Sequence, residues 1–137
     1  MSSRLNPYLN FNGNARDAME FYENVFGGTL ILNTFGEYGL EGDDAGRIMH
    51  GMLETEEGYT IMGADVTSEM RYQPMSGVSV SLSGDDAGTL RGYWDQLSAK
   101  GTVAVPLARQ PWGDQFGMCT DQFGVSWMID IAEPAAS

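Results

Sequence analysis

Along NARDAMEFYENVFGG, residues Ala15, Ala18, Met19, Tyr22, Val25 and Phe26 recur at steps of three and four, the period of a helix with one apolar stripe. Asn14 stands where a cap is expected, Asp17 three residues on at the place of a capping box, and Gly27 or Gly28 is the stop. The stretch DDAGTLRGYWDQLSAKG repeats this pattern with Leu90, Tyr93, Trp94 and Leu97 on one face, Asp85 or Asp86 at its start and Gly101 at its end. Gly88 and Gly92 inside it lower its intrinsic helix propensity. Between the helices, apolar and polar residues alternate with the two-residue period of strands. LNPYLNF and GVSVSLS precede the helices, TLILNTF and TVAVPLA follow them, and the hairpins IMHGMLETEEGYTIMG and FGMCTDQFGVSWMID come last.

The two halves are one pattern written twice. At an offset of about 72 residues Ala15 falls on Ala87, Ala18 on Leu90, Tyr22 on Trp94 and Val25 on Leu97; in the hairpins Met52 falls on Met118 and Met62 on Met128 at about 66. The offset shrinks because the first half carries the longer acidic loop GEYGLEGDDAG. Each half predicts strand, helix, strand, strand, strand, an α+β arrangement in modules of about residues 4–66 and 75–132 within a single domain spanning 1–137. The Pro/Ala tail from Glu133 to Ser137 reads as frayed.

A sheet that carries a helix must present it an apolar face, and alternation then assigns the other face automatically. Leu9, Phe11, Ile61, Val78, Val80, Leu82, Val125, Trp127 and Ile129 fall on the helix side, and Cys119 joins them as a buried, unreactive thiol. Opposite fall Tyr8, Asn10, Asn12, Thr60, Met62, Ser79, Ser81, Ser126, Met128 and Asp130. With hairpin turns centred on Glu57 and Phe123, His50, Met52, Phe116 and Met118 join that second face; a turn one residue longer or shorter reverses those four. A face mixing methionine, aromatic, amide and hydroxyl groups is too apolar for bare solvent and too polar for a core. That is the chemistry of a small-molecule pocket.

Composition narrows the partners. Lys plus Arg total 7 against 19 Asp plus Glu, so the net charge of -12 repels nucleic-acid phosphates and anionic lipid. One cysteine forms no intrachain disulfide, and neither a signal peptide nor a membrane-length apolar run is visible, which together predict a soluble cytoplasmic protein. A single histidine prevents any centre built from several imidazoles of one chain.

The phrases PYLNFNGNARDAMEFYENVFGG, IMHGMLE and PWGDQFGMCTDQFGVSWMI resemble the vicinal oxygen chelate superfamily of glyoxalases, bleomycin-resistance proteins and extradiol dioxygenases, and more narrowly its PhnB-like branch, labelled 3-demethylubiquinone methyltransferase-like. The resemblance runs from Asn6 to Ile131 and implies paired βαβββ modules whose curved mixed sheets surround a cup. It also implies a homodimer, in which a second copy covers apolar sheet edges. The superfamily's metal enzymes place His, Glu or Gln at positions that correspond here to Asn6–Tyr8, Met62, Gly77 or Val78, and Met128, none of which supplies such a ligand. No metal centre of the usual type and no cofactor is therefore expected.

The candidate site comprises Tyr8, Asn10, Met52, Met62, Ser79, Ser81, Trp112, Phe116, Met118, Ser126 and Met128 as ligand-binding residues. His50 is the candidate catalytic group, as a general base or anchor with Glu54 further along its face; the alternative is a strand histidine satisfied by a backbone carbonyl. Trp112 in QPWGDQFG either lids a pocket or closes the core, and Asp114 either binds ligand or fixes its turn. The carboxylates of DQFG, EEGY and the loop from Glu37 to Asp44 are expected to be solvated, and Asn12–Gly13–Asn14 to be a helix cap rather than a phosphate cradle. These features predict a protein that binds a small, partly aromatic or hydrophobic molecule in a methionine-lined cup. A lyase, isomerase or dioxygenase with an atypical metal site using His50 is the alternative.

Overall fold

Why does each half fold as it does? In the computed structural model, which describes residues 3–133, the apolar stripe of each predicted helix closes over one face of a four-stranded sheet. The first compact unit ends at Pro74 and the second begins at Met75. In the first, β1 (Tyr8–Phe11), α1 (Ala15–Phe26), β2 (Thr29–Thr34), β3 (Ile48–Glu54) and β4 (Thr60–Asp65) form a sheet of order β1-β4-β3-β2. In the second, β5 (Val80–Gly84), α2 (Ala87–Ser98), β6 (Thr102–Arg109), β7 (Gln115–Thr120) and β8 (Ser126–Ile131) give the order β5-β8-β7-β6. The first strand of each unit pairs in parallel with its last, and every other pair is antiparallel. Two α+β modules of βαβββ form are the result, as the repeat predicts.

All six stripe residues of α1 are buried, as are Leu90, Tyr93, Trp94 and Leu97 of α2. Buried with them are Leu9, Phe11 and Ile61 in the first unit and Leu82, Cys119, Val125, Trp127 and Ile129 in the second. Val78 departs from expectation: it lies ahead of β5, 62% exposed, because pairing with β8 begins only at Val80. No helix among the described residues is long and apolar enough to cross a membrane. The tail beyond Glu133 lies outside the described residues.

The hairpin register follows the predicted turn centres. Met52 pairs with Met62 about Glu57, and Met118 with Met128 about Phe123. The same hydrogen bonds close both turns, since Thr55 Oγ1 accepts from Tyr59 N at 2.9 Å where Asp121 Oδ1 accepts from Val125 N at 3.1 Å. Asp121 accepts also from Phe123 N, and its Oδ2 from Trp127 Nε1 at 2.9 Å. It is thus buried, not solvated as its turn position suggested: the indole N–H inside the core needs an acceptor.

The helix starts differ. Asn14 makes no capping hydrogen bond; instead Asp65, at the far end of β4, accepts from Gly13 N at 2.8 Å and Ala15 N at 3.0 Å through Oδ1, and from Ile48 N at 2.9 Å through Oδ2. In the second unit the local cap holds, with Asp86 Oδ1 accepting from Thr89 N at 3.2 Å. The residue matching Asp65 there is the buried Ile131. Of the acidic loop, Asp44 is not free in solvent: it accepts from Ser68 N and Oγ and pairs with Arg47 at 3.4 Å, while Arg47 Nη1 donates to Asn12 Oδ1 and the Val66 carbonyl. These bonds hold the Asp44 carboxyl below its usual range, the two from Ser68 contributing most.

Candidate functional site

Because side chains alternate along each strand, the register places the candidate residues in rows on the face turned away from the helix. On the first sheet one row runs Tyr8, Met62, Met52 and Ile31 across β1, β4, β3 and β2. His50 and Asn33 face each other one step along, and Asn10 lies beside Ala64. The Tyr8 hydroxyl and His50 Nδ1 are 3.3 Å apart, and their rings stack at 5.8 Å between centroids and 28° between planes. His50 therefore has a side-chain partner in Tyr8. Burial raises the Tyr8 phenol above its ordinary value, so at neutral pH the group keeps its proton. Met52, Met62 and His50 are half-buried, whereas Tyr8 and Asn10 are exposed.

On the second sheet the matching row is Ser81, Met128, Met118 and Val105, followed by Ser83, Asp130, Phe116 and Ala108. Ser79 and Ser126 join through their hydroxyls at 2.7 Å, and Ser126 N donates to the Met75 thioether at 3.4 Å. Trp112, 63% exposed in the turn after β6, lies edge-on to Phe116 at 6.3 Å. It packs on the candidate face and does not close the core. Asp114 Oδ1 accepts from Glu133 N at 3.1 Å, a contact that ties its turn to the segment just after β8. Alternation placed Asp130 on this face, but its tie to Asp114 had no signal in the sequence. Burial first, then a hydrogen bond with Asp114 and that neighbour's charge, push the Asp130 carboxyl up.

The structure thus brings Tyr8, His50, Met52 and Met62 together on the first sheet. On the second it groups Ser81 with Met118 and Met128, Ser79 with Ser126, and Trp112 with Phe116. Cys119 is buried on the opposite, helix-facing side, its thiol raised to about 11 by burial and by the charge of Asp121. It is unreactive at neutral pH.

Among the described residues no three His, Cys, Asp or Glu side chains form a group able to hold a metal ion, and Met62 and Met128 supply only thioethers. The described residues at these positions do not fit a hard or borderline divalent ion.

Two βαβββ modules, each with a helix on one face and a mixed methionine-bearing face opposite, define a protein of the glyoxalase/bleomycin-resistance fold. The chain belongs to the family described as 3-demethylubiquinone-9 3-methyltransferase, which matches residues 3–130. It is similar to protein YjdN of Escherichia coli (strain K12), with 28% identity over 94% of this chain and 95% of that one. The crystal structure of protein PA1353 from Pseudomonas aeruginosa matches with 34% identity and a TM-score of 0.88, covering 97% of this chain and all of the other. A glyoxylase/bleomycin resistance protein/dioxygenase domain from Frankia sp. EAN1pec shares the fold alone, at 12% identity and a TM-score of 0.67 over 97% and 99% of the two chains.

Proposed function

We propose that this chain is a cytoplasmic binding protein that holds a small, partly aromatic or hydrophobic molecule against a methionine-bearing sheet face. One observation carries the reading: four methionines form two directly opposed cross-strand pairs, half-buried on the sides away from the helices. Thioether side chains are unbranched and polarizable, so such a surface adapts to flat or irregular apolar ligands. The Tyr8–His50 pair and the Ser79–Ser126 pair supply directional polar groups, and Trp112 beside Phe116 supplies a ring for stacking. The methyltransferase label gains no support from the strand-to-helix turn, which reads Asn12–Gly13–Asn14 and lacks the glycine-rich fingerprint of a nucleotide-type cofactor fold.

A thermal-shift screen of aromatic antibiotics and metabolites tests the reading. A true ligand stabilises the native state in a saturating way, by about 2.7 kcal/mol at a hundredfold excess over Kd. Replacing Met118 and Met128 by Ala is expected to weaken such a hit at least tenfold. A screen with no saturating hit, or hits indifferent to both methionine pairs, would rule the proposal out. The 3.3 Å approach of the Tyr8 hydroxyl to His50 favours a second reading, in which His50 acts as a base in a lyase, isomerase or dioxygenase reaction. Turnover of a screened ligand that is lost in His50→Gln while binding is kept would select it.

A further inference from the structure

Of the positions where the superfamily's metal enzymes carry hard donors, Met62 and Met128 hold sulfur here, and on the first sheet that sulfur lies on the face that carries His50. Met52 lies directly opposite Met62 in the antiparallel β3–β4 pair, which brings their Cβ atoms to about 4.5–5.5 Å. Tyr8 is the next residue across in the row, beside Met62. His50 is two residues from Met52 on the same side of β3, its ring stacked on Tyr8. We propose that Met52, Met62 and His50 form a binding site for a soft monovalent metal ion of the Cu(I) and Ag(I) class. Thioethers carry no charge and select soft, polarizable ions, and an imidazole completes a three-donor set of the kind those ions accept.

The Tyr8 contact suits the histidine for this role. A ligating imidazole binds through one nitrogen and donates its other N–H to an acceptor. With the proton on Nδ1, the Tyr8 oxygen is that acceptor at 3.3 Å, and Nε2 is left with its lone pair for the ion. Tyr8 is then a positioning residue. The net charge of -12 favours the approach of any cation. The fold also supplies a control, because the second module repeats the sulfur pair without the imidazole. Met118 opposes Met128, but Phe116 stands where the first module has His50, and Ser81 is the residue beside Met128 where Tyr8 is beside Met62. One tight site per chain follows, on the first sheet. This inference does not rest on organic-ligand binding, and a blank small-molecule screen leaves it standing.

The probe is silver nitrate added to tag-free protein in chloride-free buffer, followed by titration calorimetry and by NMR of methionine methyl groups labelled with carbon-13. One Ag(I) per chain is expected to shift the methyl signals of Met52 and Met62 before those of Met118 and Met128. Met52→Leu, Met62→Leu and His50→Gln, the methionine changes being near-isosteric, should each weaken binding at least tenfold. Tyr8→Phe should weaken it less, and the Met118→Leu/Met128→Leu variant should leave the first equivalent unchanged. Absence of micromolar binding, binding retained in both His50→Gln and Met62→Leu, or binding lost in Cys119→Ser would overturn the proposal. Should a variant fail to fold, the order of methyl shifts in the unaltered protein decides.

Discussion

Asp65 and Asp86 open the two helices with the same chemistry and different consequences. Asp86 is an exposed residue whose carboxylate receives the Thr89 N–H and hydroxyl, and these bonds hold it below its usual range. Losing one such exposed cap by Asp86→Ala should lower stability only modestly. Asp65 is 4% exposed and receives three backbone N–H groups, from the turn before α1, the first residue of α1 and the start of β3. Asp65→Ala strands buried donors in two elements at once, so we expect a loss of about 3 kcal/mol or more, read as a lower urea midpoint. If the two substitutions cost the same, the Asp65 bonds do not carry the first helix. Asp130 gives a pH prediction of opposite sign to an ordinary capped carboxylate. Its folded-state value is raised, so its favourable contribution is complete below the unfolded value and disappears as pH rises through the folded one. Asp114→Asn removes the charge facing it, and should flatten stability against pH on the neutral side of the carboxylate range. An unchanged pH profile in that variant would show that Asp114 is not what destabilises the Asp130 anion.

At the scale of the element, the strands and helices were legible because each obeys one period over its whole length. The six stripe residues of α1 and the four of α2 needed only the helical step, and alternation kept Ile61, Trp127 and Ile129 inside; it left the turn length open, and the turns prove to be centred on Glu57 and Phe123. What period cannot carry is a partner distant in sequence. Asn14 has the right chemistry for a cap, but Asp65, some fifty residues away, takes the N–H groups. Asp121 has the sequence context of a solvated turn, yet its carboxylate is drawn inside by the Trp127 indole. Val78 continues the alternation but not the strand, because a strand extends only as far as its neighbour accompanies it. Glycine marks one such hidden constraint: a Cβ at Gly28, whose φ is 107°, would stand 2.0 Å from the Glu54 carbonyl, and at Gly101 2.0 Å from that of Thr120. The chain leaves each helix pressed against the corner of its own unit's hairpin, and only glycine fits there. For the candidate site the rows were legible and the pairings Tyr8–His50, Trp112–Phe116 and Ser79–Ser126 were not, since alternation assigns a side but not a rotamer.

For the whole molecule, edges and charge pull in opposite directions. The edge strands β2 and β6 expose Ile31 (52%) and Val103 (44%), apolar groups that a second copy would cover. Each copy brings a net charge of -12, and two such bodies repel over the Debye length, about 30 Å at 0.01 M salt and 8 Å at 0.15 M. We therefore expect a homodimer whose association tightens as salt rises, the reverse of an assembly held by ion pairs. Apolar burial is the attractive term, and salt screens only the repulsion. Sedimentation equilibrium of the full chain at several salt concentrations measures this directly. Ile31→Glu adds one further negative charge per copy at an edge that hydrocarbon would otherwise fill, and should shift the chain toward monomer most strongly at low salt. A chain that stays monomeric at high micromolar concentration and high salt would remove the dimer. A dimer that loosens as salt is added would instead place oppositely charged groups at its interface.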